Sequence, residues 1–70
     1  MNELDKGQLA RVEEIDAAPR TARRLAEMGV MPGATVEMLR PGHPCIVRVN
    51  QTRLSLSRAL QLQVTVGPLS

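Results

Sequence analysis

Two side chains that bind transition metals, an imidazole and a thiol, lie two positions apart at His43 and Cys45. On an extended segment residues i and i+2 face the same way, so both could reach one ion. Two ligands are too few, since zinc takes four and a ferrous facial triad takes two histidines and a carboxylate. A symmetric homodimer would double the number, and the sequence leaves that state open. The simpler interpretation makes Cys45 a core residue and His43 a solvated turn residue, so we assign no metal ligand.

The other polar side chains do not form a constellation typical of an enzyme. Nucleophilic catalysis requires a nucleophile, a base and an orienting group, and the single histidine has no carboxylate near it in sequence. Glu13 and Glu14 are adjacent, so on a strand they point to opposite faces and cannot work as a pair. No glycine-rich loop is followed by the Lys-Ser/Thr of a phosphate-binding motif. We therefore predict a protein without catalytic activity, and assign no catalytic or cofactor-binding residue.

Three arginines form the one basic cluster of the sequence, at Arg20, Arg23 and Arg24. Arg20 and Arg24 are four apart, so they share a face if this segment is helical. Such a face could dock on an acidic protein surface, with charge setting the encounter rate and the register. The plainer interpretation is a solvated helix face with an Arg23–Glu27 ion pair. We take the three arginines as candidate partner-binding residues.

Composition narrows the classes of partner. The 70 residues predict a single domain over 1–70, and the chain has no Phe, Tyr or Trp. Proteins that bind single-stranded nucleic acid stack bases on aromatic rings, which this chain lacks. Its net charge of +2 is also too small to indicate a nucleic-acid-binding surface, so we expect no nucleic-acid partner. The sequence has no run of about 18 apolar residues, so it predicts no membrane-spanning segment. The polar, mixed-charge start and the lone cysteine indicate the cytosol.

One helix is predicted over residues 18–28. Leu25 and Met28 are three apart and share its apolar face, while Asp16 can cap its start. Gly29 follows the last turn, where a residue without Cβ readily adopts the left-handed cap conformation. Pro32-Gly33 then predicts a turn into the next strand.

Five short strands account for most of the remaining chain. In strand one the apolar positions fall out of phase, which predicts a bulge, and the final strand alternates Leu62, Val64 and Val66 with polar residues. A single helical turn over 57–60, capped by Ser57, precedes that strand. The predicted strands are 8–15, 35–40, 45–49, 53–56 and 61–66. Brief turns between them favour a small closed β-barrel, mainly β in class.

Four segments carry a family pattern: Leu4-x-x-Gly7-Gln8, Arg24-Leu25-x-x-Met28-Gly29-Val30-x-Pro32-Gly33, Pro44 before the third strand, and Leu54-x-Leu56-x-x-x-Leu60. In these segments the sequence resembles the FeoA family, small cytosolic proteins with an SH3-like barrel that are associated with the FeoB ferrous-iron transporter. The resemblance implies a cytoplasmic accessory or regulatory protein of ferrous iron uptake. Its partner would be a FeoB-like GTPase transporter, contacted at the cytosolic G domain or the membrane-proximal surface.

The same module also occurs as the C-terminal domain of DtxR-type repressors. The alternative is therefore a metal-responsive module that binds a transition metal ion. Nothing in the sequence supplies the DNA-binding helices of those repressors, so we favour a free-standing protein. Two segments depart from the family pattern: Leu56-Ser57, where members often carry Leu-Arg, and Gly42-His43-Pro44, where members often carry a longer Gly-Asp-Pro turn. Both are predicted in loops or edges, so they bear on partner contacts rather than on the fold.

Overall fold

A computed structural model describes residues 4–69 as one antiparallel sheet with two helices. The elements are β1 (Leu9–Ile15), α1 (Pro19–Glu27), β2 (Thr35–Arg40), β3 (Cys45–Val49), β4 (Thr52–Leu56), α2 (Arg58–Gln63) and β5 (Val64–Pro68). The strand order in the sheet is β4-β3-β2-β1-β5, and α2 connects the two edge strands. The prediction of a mainly β fold with five strands and an inserted helix is confirmed.

Alternating side chains of β2 and β3 build the centre of the core. Val36 and Met38 on β2, and Cys45, Val47 and Val49 on β3, are all buried, while the residues between them face outward or are partly covered. The register sets Val36 opposite Val49 and Met38 opposite Val47, so the inward rows of the two strands coincide. The core therefore consists of aliphatic residues with one thiol, as period-two alternation predicts.

Strand β1 contains the predicted bulge. Its pairing with β5 shifts register between Val12 and Glu14, which leaves Glu13 as the extra residue. Ala10 and Val12 before the shift are buried, whereas Leu9 is exposed. The bulge lets β1 pair with β2 on one side and with β5 on the other while keeping its apolar residues inward.

The two ends of α1 differ from each other. Pro19 is its first residue, and Ala18 at the N-cap offers no side-chain hydrogen bond, so the prediction that Asp16 caps the helix was wrong. The helix begins three residues beyond Asp16, too far for that side chain to act as the N-cap. At the other end Gly29 adopts φ +93°. Its N–H donates to the Ala26 carbonyl at 2.9 Å, and the next N–H, of Val30, donates to the Leu25 carbonyl at 2.8 Å. These are the two bonds of a Schellman motif, and the predicted glycine cap is confirmed.

Helix α2 is longer than predicted. Ser57 caps it as expected, since its Oγ accepts a hydrogen bond from the Leu60 N–H at 3.3 Å. The helix continues to Gln63, however, so residues 61–63 do not belong to the final strand. The exposures are the reverse of the predicted alternation: Leu62 is 63% exposed and Gln61 is 1% exposed.

Candidate partner-binding site

The outward face of α1 carries the three arginines singled out in the sequence. Leu25 is the residue of the helix that is fully buried, and it packs into the core. Arg20, Arg23 and Arg24 are all exposed, and their spacings of three and four residues put them on one side of the helix. We call these three residues the arginine face. The structure thus brings together the cluster that the sequence predicted.

The arginine face forms no ion pair with the acidic side chains that the structure describes. Among residues 4–69, Glu37 and Arg48, directly opposite each other on β2 and β3, form the only ion pair. The Arg23–Glu27 pair expected from the sequence does not form. The first turn of α1 has no acidic residue, and Arg20 lies in it, although the dipole at a helix start favours anions. The three guanidinium groups are therefore exposed and form no ion pair within residues 4–69.

The imidazole and the thiol have opposite environments. His43 is exposed in the turn between β2 and β3, whereas Cys45 begins β3 and lies in the core. Burial raises the pKa of the Cys45 thiol above its ordinary value of 9.0. Within residues 4–69, no three His, Cys, Asp or Glu side chains are gathered in one place where they could hold a metal ion.

Two exposed methionines follow the arginine face in sequence. Met28 is 40% exposed and Met31 is 43% exposed, so the prediction that Met28 shares a core-facing side with Leu25 was wrong. Met28 is four residues after Arg24 and eight after Arg20, which extends the arginine row rather than the apolar one. That spacing is the signal in the sequence that could have identified Met28 as a surface residue.

A shallow groove of about 420 Å³ lies elsewhere on the molecule, between the start of β1, α2 and β5. Leu9, Gln61 and Leu62 are among the residues that line it. No acidic, basic, histidine or cysteine side chain lines the groove, so it contains no group that could transfer a proton or act as a thiol nucleophile. No helix within the described part of the chain is both long and apolar enough to cross a membrane.

The FeoA domain family model matches residues 1–68, which is nearly the whole chain. The chain belongs to the FeoA family. No curated protein sequence matches the chain.

Solved FeoA structures share the fold. FeoA from Chlorobium tepidum is 35% identical, with a TM-score of 0.89, over 99% of this chain and 69% of that one. FeoA from Stenotrophomonas maltophilia, solved with zinc, is 33% identical, with a TM-score of 0.79, over 94% of this chain and 86% of that one. It is described as a prokaryotic SH3 domain protein and a candidate activating factor of ferrous iron transport. An iron uptake regulatory protein (FeoA) is 29% identical, with a TM-score of 0.85, over 97% and 92% of the two chains. The SH3-like fold is thereby confirmed.

The zinc ion of the Stenotrophomonas protein provides a test for the residues of this FeoA chain. A closed zinc site takes four ligands, each thiol among them deprotonated. The Cys45 thiol faces the core with a raised pKa, and the part of the chain described offers no cluster of three ligands. These residues do not fit such a site.

Proposed function

We propose that this FeoA-family chain is a small cytoplasmic accessory or regulatory protein of ferrous iron uptake. It acts by protein–protein contact with a FeoB-type GTPase transporter, at the cytosolic G domain or the membrane-proximal surface. Family membership supports the link to iron transport, since FeoA structures are described as iron uptake or iron transport proteins. The observation that carries the contact is the arginine face, whose charges have no acidic partner among residues 4–69.

The structure of this chain suits a binding role better than catalysis. The groove has no titratable lining, and the aliphatic core leaves function to the outer surface. An arginine presents a planar fork of donors that matches a carboxylate in two hydrogen bonds. Three such groups on one short helix fix the orientation of an acidic partner as well as attracting it.

The experiment is a titration of the transporter, reconstituted in nanodiscs, at two salt concentrations. The variant Arg20→Ala with Arg23→Ala and Arg24→Ala is compared with Arg11→Ala, Arg53→Ala and Arg58→Ala, which removes the same charge from exposed positions on β1, β4 and α2. The first variant is expected to bind about tenfold more weakly, with a shallower salt dependence, because exposed charge pairs contribute about 0.2–1 kcal/mol each. The control variant should stay within about threefold of the parent.

Equal losses in the two variants would mean that only net charge matters, and the arginine face would not be the contact. Unchanged affinity in the first variant would contradict the proposal outright. Circular dichroism of each variant confirms that the fold persists, since all six positions are exposed.

The alternative is a metal-responsive regulatory module, as in DtxR-type repressors. The zinc bound to the Stenotrophomonas relative favours it, while the donor set of residues 4–69 in this chain does not. Calorimetry with Zn²⁺, and with Fe²⁺ under anoxic conditions, separates the two. Stoichiometric binding at micromolar affinity or better would support the alternative, and its absence would dismiss it.

A further inference from the structure

The arginine face ends in an apolar surface. Met28 at the C-cap of α1 and Met31 just beyond it are among the exposed large apolar residues of the part described, which otherwise are Leu9, Leu62 and Leu69. Leaving a large apolar side chain in water forgoes the free energy that its burial would provide. Two exposed methionines that follow three arginines without an ion pair in the described part of the chain combine the residue types enriched in the centres of protein interfaces.

The backbone holds the two methionines in place. Val30 lies between them and is fully buried, and its N–H closes the Schellman motif on the Leu25 carbonyl. Beyond it, the Ala34 N–H donates to the Met31 carbonyl at 3.0 Å across the Pro32-Gly33 turn. The Gly33 N–H donates to the Val12 carbonyl of β1 at 2.8 Å, which ties this turn to the sheet. The two methionines are three positions apart, so their Cα atoms are at most about 11 Å apart.

We propose that Met28 and Met31 are the apolar anchors of the partner contact. They extend the arginine face into one docking stripe for a protein surface that is acidic and has an apolar cleft. The inference rests on the proposed function and names the chemistry of the partner surface: carboxylates opposite Arg20 and Arg24, and an apolar cleft opposite the methionines. Charge complementarity favours an acidic occupant, because carboxylates accept paired hydrogen bonds from guanidinium groups that form no ion pair within residues 4–69. The flexible thioether side chains adapt to the shape of a cleft.

A protein fits this stripe better than an anionic lipid surface. Helix α1 has nine residues, about 14 Å in length, and the chain has no aromatic side chain. Interfacial helices bury a long apolar face in the lipid, often with Trp, Phe or Leu. Two half-exposed methionines supply too little apolar area for that, but enough for two anchors in a cleft.

The test measures binding to the full-length FeoB-type transporter in nanodiscs. Met28→Gln and Met31→Gln keep the length of the side chain while removing its apolar character. Each is expected to weaken binding by about three- to eightfold, with the salt dependence unchanged, because about two fifths of each side chain would become buried. Met28→Leu with Met31→Leu keeps the apolar area and should stay within about threefold of the parent. Leu62→Gln, the same kind of change in the groove, is the matched control and should have no effect.

The outcomes separate this inference from the proposed function. If the glutamine variants bind normally while the triple arginine variant is weakened, the methionine anchors are refuted and the proposed function stands. If neither is weakened, both fail. A loss with Leu62→Gln alone would assign the contact to the groove, and equal binding to empty nanodiscs of the same lipid would assign it to the membrane. Either result overturns the inference.

Discussion

Gln61 joins three parts of the fold, and its replacement tests how helix α2 is held between the two edge strands. Among residues 4–69 it is the only polar side chain that is fully buried. Its Nε2 donates to the carbonyl oxygens of Gly42 and Leu56, each at 3.0 Å. Helix α2 is thereby attached to the turn between β2 and β3 and to the end of β4. Gln61→Met keeps the length of the side chain and removes both donors.

The expected loss follows from the burial of the two carbonyls. The bond to Leu56 is buried, so losing it leaves an acceptor without water, at about 1–3 kcal/mol. The bond to Gly42 is partly buried, and water can replace the donor, so its loss is about 0.5–1.5 kcal/mol. The apolar methionine offsets part of this, which leaves about 2–3 kcal/mol. For a domain of this size the midpoint of thermal unfolding falls by about 10–20 °C.

Far-UV circular dichroism follows the unfolding, because the chain has no Trp or Tyr for fluorescence. Gln63→Met is the matched control: Gln63 lies two residues further along the same helix, and its Oε1 is buried without a hydrogen-bond partner. Removing an unsatisfied acceptor should leave the free energy of unfolding unchanged or raise it by up to about 1 kcal/mol. Equal losses in the two variants would refute the account of how Gln61 holds α2.

Two further predictions concern stability. Gly29 and Gly33 have φ of +93° and +94°, so Ala at either position costs about 1–2 kcal/mol in backbone strain. At Gly29 the new Cβ would also crowd Asn50 Nδ2 at 3.2 Å and Val49 Cγ1 at 3.3 Å, whereas nothing lies within 4 Å of a Cβ at Gly33. Gly29→Ala should therefore lose more free energy of unfolding in urea than Gly33→Ala, and equal losses would contradict the packing argument. For Cys45, burial raises the folded pKa above the unfolded one, so the stability contributed by the protonated thiol is complete below about pH 9 and declines above it. Cys45→Ala should flatten that decline above about pH 9, and an unchanged slope would show that other groups cause it.

Local chemistry made much of the fold predictable. The bounds of β2 and β3 follow from period-two alternation between turn residues, and the structure has the same bounds. The glycine cap at Gly29 and the turn at Pro32-Gly33 follow from the conformations that those residues permit, and both occur. These features depend on neighbouring residues alone.

The wrong prediction for residues 61–63 arises because contacts outside the segment determine its secondary structure. Residues 61–63 alternate like a strand, yet the Gln61 amide reaches carbonyls 5 and 19 residues away, which favours helix there. No local pattern contains those partners.

The sequence predicts the arginine face of the candidate site but not the exposed methionine that follows it. The arginine face follows from helical spacing, but Met28 was placed with Leu25 because residues three apart are only about 60° apart around a helix. On a nine-residue helix packed against a small sheet, the stripe that faces the core is narrow. Leu25 fills it, and Met28 lies outside.

Hydrogen exchange of this chain, with and without the reconstituted transporter, shows whether the outward face of α1 is the partner contact. We expect slower amide exchange over residues 20–31 in the complex, with no change in α2 and β5. Slower exchange confined to α2 and β5, with residues 20–31 unchanged, would contradict it.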